Sequence, residues 1–354
     1  MDKRFGIIGY GFMGHMHEQR LREQEGATVV AICDIDREKL KDVPDGIHAY
    51  DDAHEMLKED GIDAVIISAN NDQHHSLVLT AAREGKHVLC EKPAALSVAE
   101  LDEMEQVCRD CGVSFTVHQQ RRFDPDFRTC KLAYDGGMVG EPYTVQTSLY
   151  GFNGNMHDWH VYPKQGGGML YDWGVHLLDQ LLWMIPGRIS SVFAIVRNVI
   201  NLEVDDYFHI ILRFENGLAA EVELGTYFLS DKPSWFERHW YLGGSGGSFY
   251  TDGFFPEHGV LLRTSELLTS VPAEGGGTAI YNPTRSFGPP PEGRIIREQV
   301  PNAGTKQTDF YRQYIAALDG KEDFLVTIPE VRRVLRLLDA VRQSAEQGRS
   351  IAFE

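Results

Sequence analysis

The sequence has few cysteines and a deficit of positive charge, and each shortage excludes a class of protein. Its five cysteines all lie within the first 130 of 354 residues, and an odd number confined to one part of the chain argues against a disulfide framework. Only 34 Lys and Arg stand against 52 Asp and Glu, which gives a formal net charge of −18. A protein that tracks a nucleic-acid backbone needs the opposite balance, so we expect no nucleic-acid partner.

Long apolar segments are also missing from the start of the chain. Residues 1–9 contain only a brief apolar stretch, too short for a signal peptide or a membrane span. We therefore expect a cytoplasmic protein with no membrane partner. Cys108 and Cys111 form a Cys-x-x-Cys pair inside a helical pattern, with no second pair elsewhere. Helix packing explains this pair better than a redox or metal role, and we expect no metal site.

The first third of the chain alternates short apolar runs with amphipathic segments. This pattern predicts five strands, at Phe5–Ile8, Thr28–Cys33, Ala64–Ser68, Val88–Cys90 and Ser114–Val117. It predicts helices between them, near residues 13–23, 52–59, 75–84 and 98–111. Buried strands that alternate with helices are typical of right-handed crossovers and a doubly wound parallel sheet. We therefore expect residues 1–122 to form a Rossmann domain.

The pattern changes after about residue 120. It predicts helices near 125–134 and up to Met184, a strand near 144–150, hairpin strands from about 189 to 263, and closing helices near 308–318 and 329–347. Residues 123–354 are therefore expected to form an α+β domain with a mostly antiparallel sheet, whose closing helices are free to pack back on the first domain. The Gly- and Pro-rich segment 271–304 predicts an irregular surface excursion, a lid or an oligomer arm.

The run Gly9-Tyr10-Gly11-Phe12-Met13-Gly14 is a G-x-G-x-x-G motif that follows a predicted strand and opens a predicted helix. Two of its glycines allow a tight turn and close approach to a pyrophosphate, while the third lets helix and strand pack closely. Asp34 ends the second strand, 20 residues after Gly14. An acid there accepts hydrogen bonds from the adenosine ribose and would repel a 2′-phosphate, so we predict NAD rather than NADP.

Three further motifs contain residues suited to chemistry. They are Glu91-Lys92-Pro93 just after an apolar strand, Arg121-Arg122-Phe123-Asp124-Pro125, and Gly-Gly-Gly-Met-Leu-Tyr-Asp-Trp-Gly-Val-His at residues 166–176. Lys92 lies where an open parallel sheet binds ligands, although a solvated lysine is an equally good interpretation. Asp172 and His176 are four residues apart and share one helix face. From spacing alone, a face turned to water is the better interpretation.

Together with the glycine motif, these segments resemble the glucose-fructose oxidoreductase, inositol dehydrogenase and MocA family, in the same order and over nearly the whole chain. The resemblance implies a Rossmann domain, a second domain with a large open sheet, and a nicotinamide cofactor in the cleft. It implies oxidation or reduction of a sugar or polyol carbon, with Lys92, Asp172 and His176 at the catalytic positions. Because an open sheet exposes an apolar face, we expect a homodimer or homotetramer.

These three residues suit the oxidation of a secondary alcohol. His176 is the candidate base, since the unperturbed pKa of His lies near neutrality. Asp172 would orient the His176 ring or bind a second substrate hydroxyl, and Lys92 would favour alkoxide character on the reacting oxygen. We therefore predict NAD-dependent oxidation of a secondary hydroxyl of a neutral sugar, inositol or glycoside. Whether a cis peptide bond precedes Pro93 is left open by the sequence.

Loops at the same sheet edge supply further candidates. Besides the glycine motif and Asp34, the predicted cofactor contacts are Ala69, Asn70, His74, Glu91 and Lys92. Besides Asp172 and His176, the predicted substrate contacts are His118, Trp159 and His160. Ordinary core packing is an equal alternative for His118 and Trp159. Relatives often carry Trp-Arg where Trp159-His160 stands, so the loss of a positive charge here argues against a phosphorylated sugar.

Two other functions fit the same residues. A glycosidase that uses NAD catalytically would oxidise a ring carbon temporarily, and would release free sugar without net NADH. A cofactor-bound regulator without turnover would need no base, and the joint presence of Lys92, Asp172 and His176 counts against it.

Overall fold

Six parallel strands form the first of two sheets. They are β1 (Lys3–Ile8), β2 (Ala27–Cys33), β3 (His48–Tyr50), β4 (Ala64–Ile67), β5 (His87–Cys90) and β6 (Phe115–Val117). Their order is β3-β2-β1-β4-β5-β6, with all neighbours parallel. This is the doubly wound order that the sequence predicts, and the order reverses beside β1, where such sheets bind ligands. Strand β3 was not predicted, because its three residues form no buried apolar run.

Four helices connect these strands. They are α1 (Phe12–Arg22), α2 (Ala53–Leu57), α3 (His74–Arg83) and α4 (Val98–Asp110). The predicted start of α4 is confirmed, since the Ser97 side chain accepts a hydrogen bond from the Glu100 N–H. All four residues of β4 are buried, which requires cover on both faces of the sheet. The structure is a computed structural model that describes residues 2–152, 156–229, 237–264 and 292–354.

Nine strands form the second sheet. They are β7 (Pro142–Tyr150), β8 (Ile189–Arg197), β9 (Tyr207–Phe214), β10 (Ala219–Gly225), β11 (Arg238–Gly244), β12 (Gly247–Asp252), β13 (His258–Thr264), β14 (Ile295–Pro301) and β15 (Ile351–Ala352). Their order is β14-β13-β12-β11-β7-β10-β9-β8-β15. Among the described strands of this second sheet, only the β7–β10 pair is parallel, so the predicted mostly antiparallel sheet is confirmed.

Four α-helices of the described ranges accompany this sheet. They are α5 (Pro125–Asp135), α6 (Val175–Met184), α7 (Asp309–Leu318) and α8 (Ile328–Gln347). The predicted helix up to Met184 is confirmed by α6, which ends there, and Leu170–Gly174 forms a π-helical turn directly before it. Such wide turns are rare and often occur at functional sites. Across the described ranges, no helix has both the length and the apolar character needed to cross a membrane.

The Gly- and Pro-rich segment is partly regular. Its predicted irregularity over 271–304 was wrong for Ile295–Pro301, which pairs antiparallel with β13 at the edge of the second sheet. Six of these seven residues are exposed, so the segment lacks the alternation of buried and exposed residues by which a strand is recognised. Residues 271–291 lie outside the described ranges.

A buried ion pair ties the connection between the sheets to α6. The Arg122 guanidinium donates from Nε and Nη2 to the two Asp179 carboxylate oxygens, at 2.8 and 2.7 Å. Both side chains are at most 2% exposed. Arg122 Nη1 also donates to the Leu325 carbonyl at 2.8 Å, and Thr116 on β6 donates to the Val326 carbonyl at 2.7 Å. The segment before α8 is thus fixed to β6 of the first sheet and to the Arg122–Asp179 pair.

Replacing Arg122 by Met should lower the free energy of unfolding by about 3–5 kcal/mol, because it leaves the Asp179 carboxylate buried without its counter-charge. The measurement is urea unfolding followed by fluorescence. The double variant Arg122→Met/Asp179→Leu should recover much of the loss.

The matched control is Arg332→Met, because Arg332 pairs with the partly exposed Asp102 and Glu105. It should cost less than about 1 kcal/mol. Equal losses of unfolding free energy in the two Met variants would show that breaking the buried Arg122–Asp179 pair costs no more than breaking a partly exposed pair.

Candidate functional site

The glycine motif forms a tight turn from β1 into α1. Gly9 has a φ of +94°, and a Cβ there would lie 2.6 Å from backbone atoms of Ser68 and Ala69, while a Cβ on Gly14 would overlap the Gly9 carbonyl. At Gly11, by contrast, a Cβ would meet nothing within 4 Å among the described residues. No described side chain caps the start of α1. This open backbone with uncapped N–H groups fits a pyrophosphate.

Asp34 lies directly beside this turn. One carboxylate oxygen accepts a hydrogen bond from the Tyr10 N–H at 2.7 Å, and the other accepts one from the Asp36 N–H at 2.8 Å. The Lys39 ammonium lies 3.5 Å from the same carboxylate. The acid is therefore fixed at the carboxyl end of β2, where it fits the ribose hydroxyls of NAD. Phe12 and Met13 follow on the first turn of α1, with Phe12 80% exposed.

The loop after β4 adjoins the glycine turn. The Ser68 hydroxyl donates to the Gly9 carbonyl at 2.8 Å, and the exposed Asn70 follows Ala69 at the rim. His74 does not present a polar atom to a cofactor as predicted. It is fully buried, and its ring nitrogens lie 2.8 Å from the Pro93 carbonyl and 3.0 Å from the Ala69 carbonyl. Its ring instead holds the loops after β4 and β5 together.

Glu91 also turns inward, contrary to the predicted cofactor contact. Its Oε1 lies 3.0 Å from His17 Nε2 and 2.6 Å from His118 Nδ1, and its Oε2 accepts a hydrogen bond from the Lys92 N–H at 3.0 Å. Burial opposes ionisation, yet His118 and His17 hold the pKa of Glu91 well below its usual range. Glu91 therefore fixes the backbone of Lys92 from the protein interior.

His118 belongs to this internal cluster and not to the cleft. Its side chain is 0% exposed, so the predicted substrate contact was wrong and the core-packing alternative holds. The donor atoms of His17, Glu91 and His118 lie within 4.8 Å of one another, close enough to hold a metal ion. Their separations of 3.0 and 2.6 Å along the Glu91 contacts are hydrogen-bond distances, while the buried His118 Nε2 has no hydrogen-bond partner among the described residues.

Lys92 meets Asp172 across the two halves of the chain. The Lys92 ammonium donates to Asp172 Oδ1 at 2.7 Å and to the Asp172 carbonyl at 2.9 Å. The peptide bond between Lys92 and Pro93 is cis. Burial alone would raise the pKa of Asp172, but Lys92 outweighs it and lowers that pKa. The side chains of this ion pair are mostly buried, with 12% of Lys92 and 15% of Asp172 exposed.

His176 lies one turn further along the same helical segment. Its Nδ1 is 2.9 Å from Gln119 Oε1, whereas Asp172 is engaged by Lys92, so the predicted orienting contact of Asp172 with the ring is absent here. Burial, then Lys92 and Arg121, hold the pKa of His176 well below 6.5. The ring is neutral at pH 7. Sequence reasoning missed Gln119, because no periodicity or motif places it against His176.

Trp159 and His160 approach Asp172 from another loop. The two rings stack with centroids 3.8 Å apart, and His160 Nε2 lies 3.7 Å from Asp172 Oδ2. The structure therefore places His160 beside the Lys92–Asp172 pair, with Trp159 stacked on it. The Arg121 guanidinium, which we had not predicted as a site residue, lies 3.9 Å above the Trp173 ring.

The π-helical turn that carries Asp172 is held at its start by Asp205. The Asp205 carboxylate accepts a hydrogen bond from the Leu170 N–H at 2.7 Å. Gly168 has a φ of +99° there, and any Cβ would overlap this carboxylate. The glycine run is therefore needed for close packing at the base of the site.

Comparison with protein families agrees with this arrangement. Residues 3–119 match the GFO_IDH_MocA model, described as an oxidoreductase family with an NAD-binding Rossmann fold, and residues 127–250 match the GFO/IDH/MocA C-terminal domain. The chain belongs to the GFO/IDH/MocA oxidoreductase family. An NAD-binding protein from Listeria innocua, a solved structure, is 30% identical and superposes with a TM-score of 0.85 over 99% of this chain and 97% of its own.

Two of the relatives are named as inositol dehydrogenases. The myo-inositol 2-dehydrogenase of Thermotoga maritima is 28% identical over 62% of this chain and 67% of its own. The scyllo-inositol 2-dehydrogenase (NAD(+)) of Bacillus subtilis is 29% identical over 62% and 66%. The glycine turn fits the pyrophosphate of NAD. Together with the family match, these relatives show that the chain is an NAD-dependent dehydrogenase.

Replacing Asp34 by Ser should weaken the binding of NAD and strengthen the binding of NADP. The change removes the ribose acceptor and leaves the Lys39 ammonium without this carboxylate, so a 2′-phosphate is no longer repelled. Dissociation constants of NADH and NADPH, measured by fluorescence titration, test this directly. Asp36→Ser in the same loop is the matched control, and an unchanged NADH to NADPH ratio in Asp34→Ser would undo the cofactor assignment.

Proposed function

We propose that this enzyme oxidises a secondary hydroxyl of a neutral sugar, inositol or glycoside, with His176 as general base and Lys92 stabilising the alkoxide. The observation that carries the proposal is the contact of the Lys92 ammonium with Asp172, four residues before His176. It brings an ammonium and an imidazole from distant parts of the chain to one cleft. Those are the two groups that alcohol oxidation needs.

His176 is suited to accept the hydroxyl proton. Among the described residues its Nε2 has no hydrogen-bond partner, while Nδ1 is engaged by Gln119. Because its pKa lies well below 6.5, the ring is in the base form throughout the neutral pH range. A substrate hydroxyl at Nε2 would give up its proton there as the carbinol carbon is oxidised. NAD, when bound, supplies the hydride acceptor.

Lys92 is suited to stabilise the reacting oxygen. An ammonium has three N–H donors, and two of these are directed to Asp172. The third can donate to the substrate oxygen, and its charge favours the alkoxide as the proton leaves. The Asp172 carboxylate and carbonyl hold the ammonium in place. The carboxylate offers His160, or a second substrate hydroxyl, its other oxygen.

The substrate class rests on the residues around this pair. Trp159 stacked on His160 offers an aromatic face and ring nitrogens to a polyhydroxylated ring. Relatives named as inositol dehydrogenases, and a D-apiose dehydrogenase from Paraburkholderia graminis at 30% identity, support a sugar or polyol. Two domains at 1–122 and 123–354, a homodimer or homotetramer, and a cytoplasmic location stay predictions from the sequence.

His176→Ala should lower kcat by about 10²- to 10⁴-fold, the usual weight of a general base. The assay incubates the protein with NAD and a panel of inositols, aldoses and glycosides while nicotinamide absorbance is followed. His75→Ala serves as the control, since the His75 ring contacts Glu103 at the edge of α3.

The same panel separates the competing functions. Accumulating NADH with an oxidised product supports the proposed dehydrogenase reaction. Free sugar released from glycosides without net NADH indicates the NAD-dependent glycosidase instead. Undiminished turnover in His176→Ala would remove that residue from the role of base.

A further inference from the structure

We propose that Gln119 is a positioning residue that sets which ring nitrogen of His176 carries the proton. This inference rests on the proposed role of His176 as the base. It adds a residue that lies outside the three catalytic positions of the family resemblance. The observation behind it is the single hydrogen bond between the two buried side chains.

The chemistry of the two atoms fixes the tautomer. Gln119 Oε1 is a carbonyl oxygen, which only accepts hydrogen bonds, and it lies 2.9 Å from His176 Nδ1. In this orientation of the amide, the proton of the neutral ring lies on Nδ1 and the lone pair lies on Nε2. The other tautomer would place a lone pair against the carbonyl oxygen and a proton where the substrate hydroxyl must donate.

The backbone holds this amide in register with the helix that carries His176. The Gln119 carbonyl accepts a hydrogen bond from the Arg122 N–H at 3.1 Å. The Arg122 guanidinium in turn donates two hydrogen bonds to the Asp179 carboxylate. Asp179 lies three residues after His176 on α6. The buried ion pair thus aligns the amide with the ring through one short chain of contacts.

Because the Gln119 side chain is uncharged, it affects the protonation state of His176 differently from a carboxylate. The groups that act on His176 are Lys92, Arg121 and His118, which disfavour its protonation, and Glu91, which favours it. Asp172, on the preceding turn, is paired with Lys92. An amide adds no negative charge to this set, so the imidazole stays neutral. A carboxylate in the same place would stabilise the imidazolium and raise the pKa of the base.

Two substitutions separate orientation from charge. Gln119→Met removes the acceptor at similar volume, and should lower kcat about 5- to 10-fold, equivalent to one lost hydrogen bond, with little change in KM. Gln119→Glu keeps an acceptor but adds charge, so the acidic limb of the kcat/KM profile should move to higher pH. Activity requires the neutral ring, and the variant ring becomes neutral only at higher pH.

Gln120→Glu is the matched control, because it adds a carboxylate one residue away from the contact. An equal shift of the pH profile in Gln120→Glu would contradict a specific role for Gln119, as would a Gln119→Glu profile that matches the parent enzyme.

A second measurement does not depend on turnover. The ring-nitrogen chemical shifts of ¹⁵N-histidine-labelled protein, with His176 assigned by loss of its signals in His176→Ala, report the tautomer in the free enzyme. We expect Nδ1 to be protonated in the parent, and a mixture of tautomers in Gln119→Met. A proton on Nε2 in the parent, or an unchanged tautomer in Gln119→Met, would overturn the inference. Absence of turnover with every panel compound would refute the proposed function and leave this measurement intact.

Discussion

The contact between the Lys92 ammonium and Asp172 is the constraint on which the site depends. It joins the end of β5 in the parallel sheet to the π-helical turn that leads into α6. Each side depends on its own buried support. Glu91 fixes the backbone of Lys92 from within the first half, and Asp205 holds the start of the turn from the second. The Lys92 and Asp172 side chains are therefore held in contact from both sides, and both are mostly buried.

Lys92 and His176 take different roles because their electrostatic surroundings differ. The Lys92 ammonium lies against the Asp172 carboxylate, whereas burial, and then that same ammonium, disfavour the charged form of His176. A charged electrophile and a neutral proton acceptor are the pair that oxidation of an alcohol requires.

The sequence predicted most of the fold, because buried parallel strands and glycine turns leave strong local patterns. The strand order, the glycine turn and Asp34 beside it all follow from those patterns. It could not predict the inward turn of His74 and His118, since burial of a lone histidine depends on partners distant in the chain. Gln119 was missed for the same reason: an amide carries no sequence signal for the ring it contacts.

The most direct test of the account is a crystal structure of the enzyme with NAD and an inositol or sugar that it turns over. The distances of interest run from one substrate hydroxyl oxygen to Lys92 Nζ and to His176 Nε2. The account predicts that both atoms lie within hydrogen-bond reach of that oxygen, about 2.6–3.2 Å. A reacting hydroxyl bound away from either atom, or a His176 ring with Nε2 turned from the substrate, would contradict it.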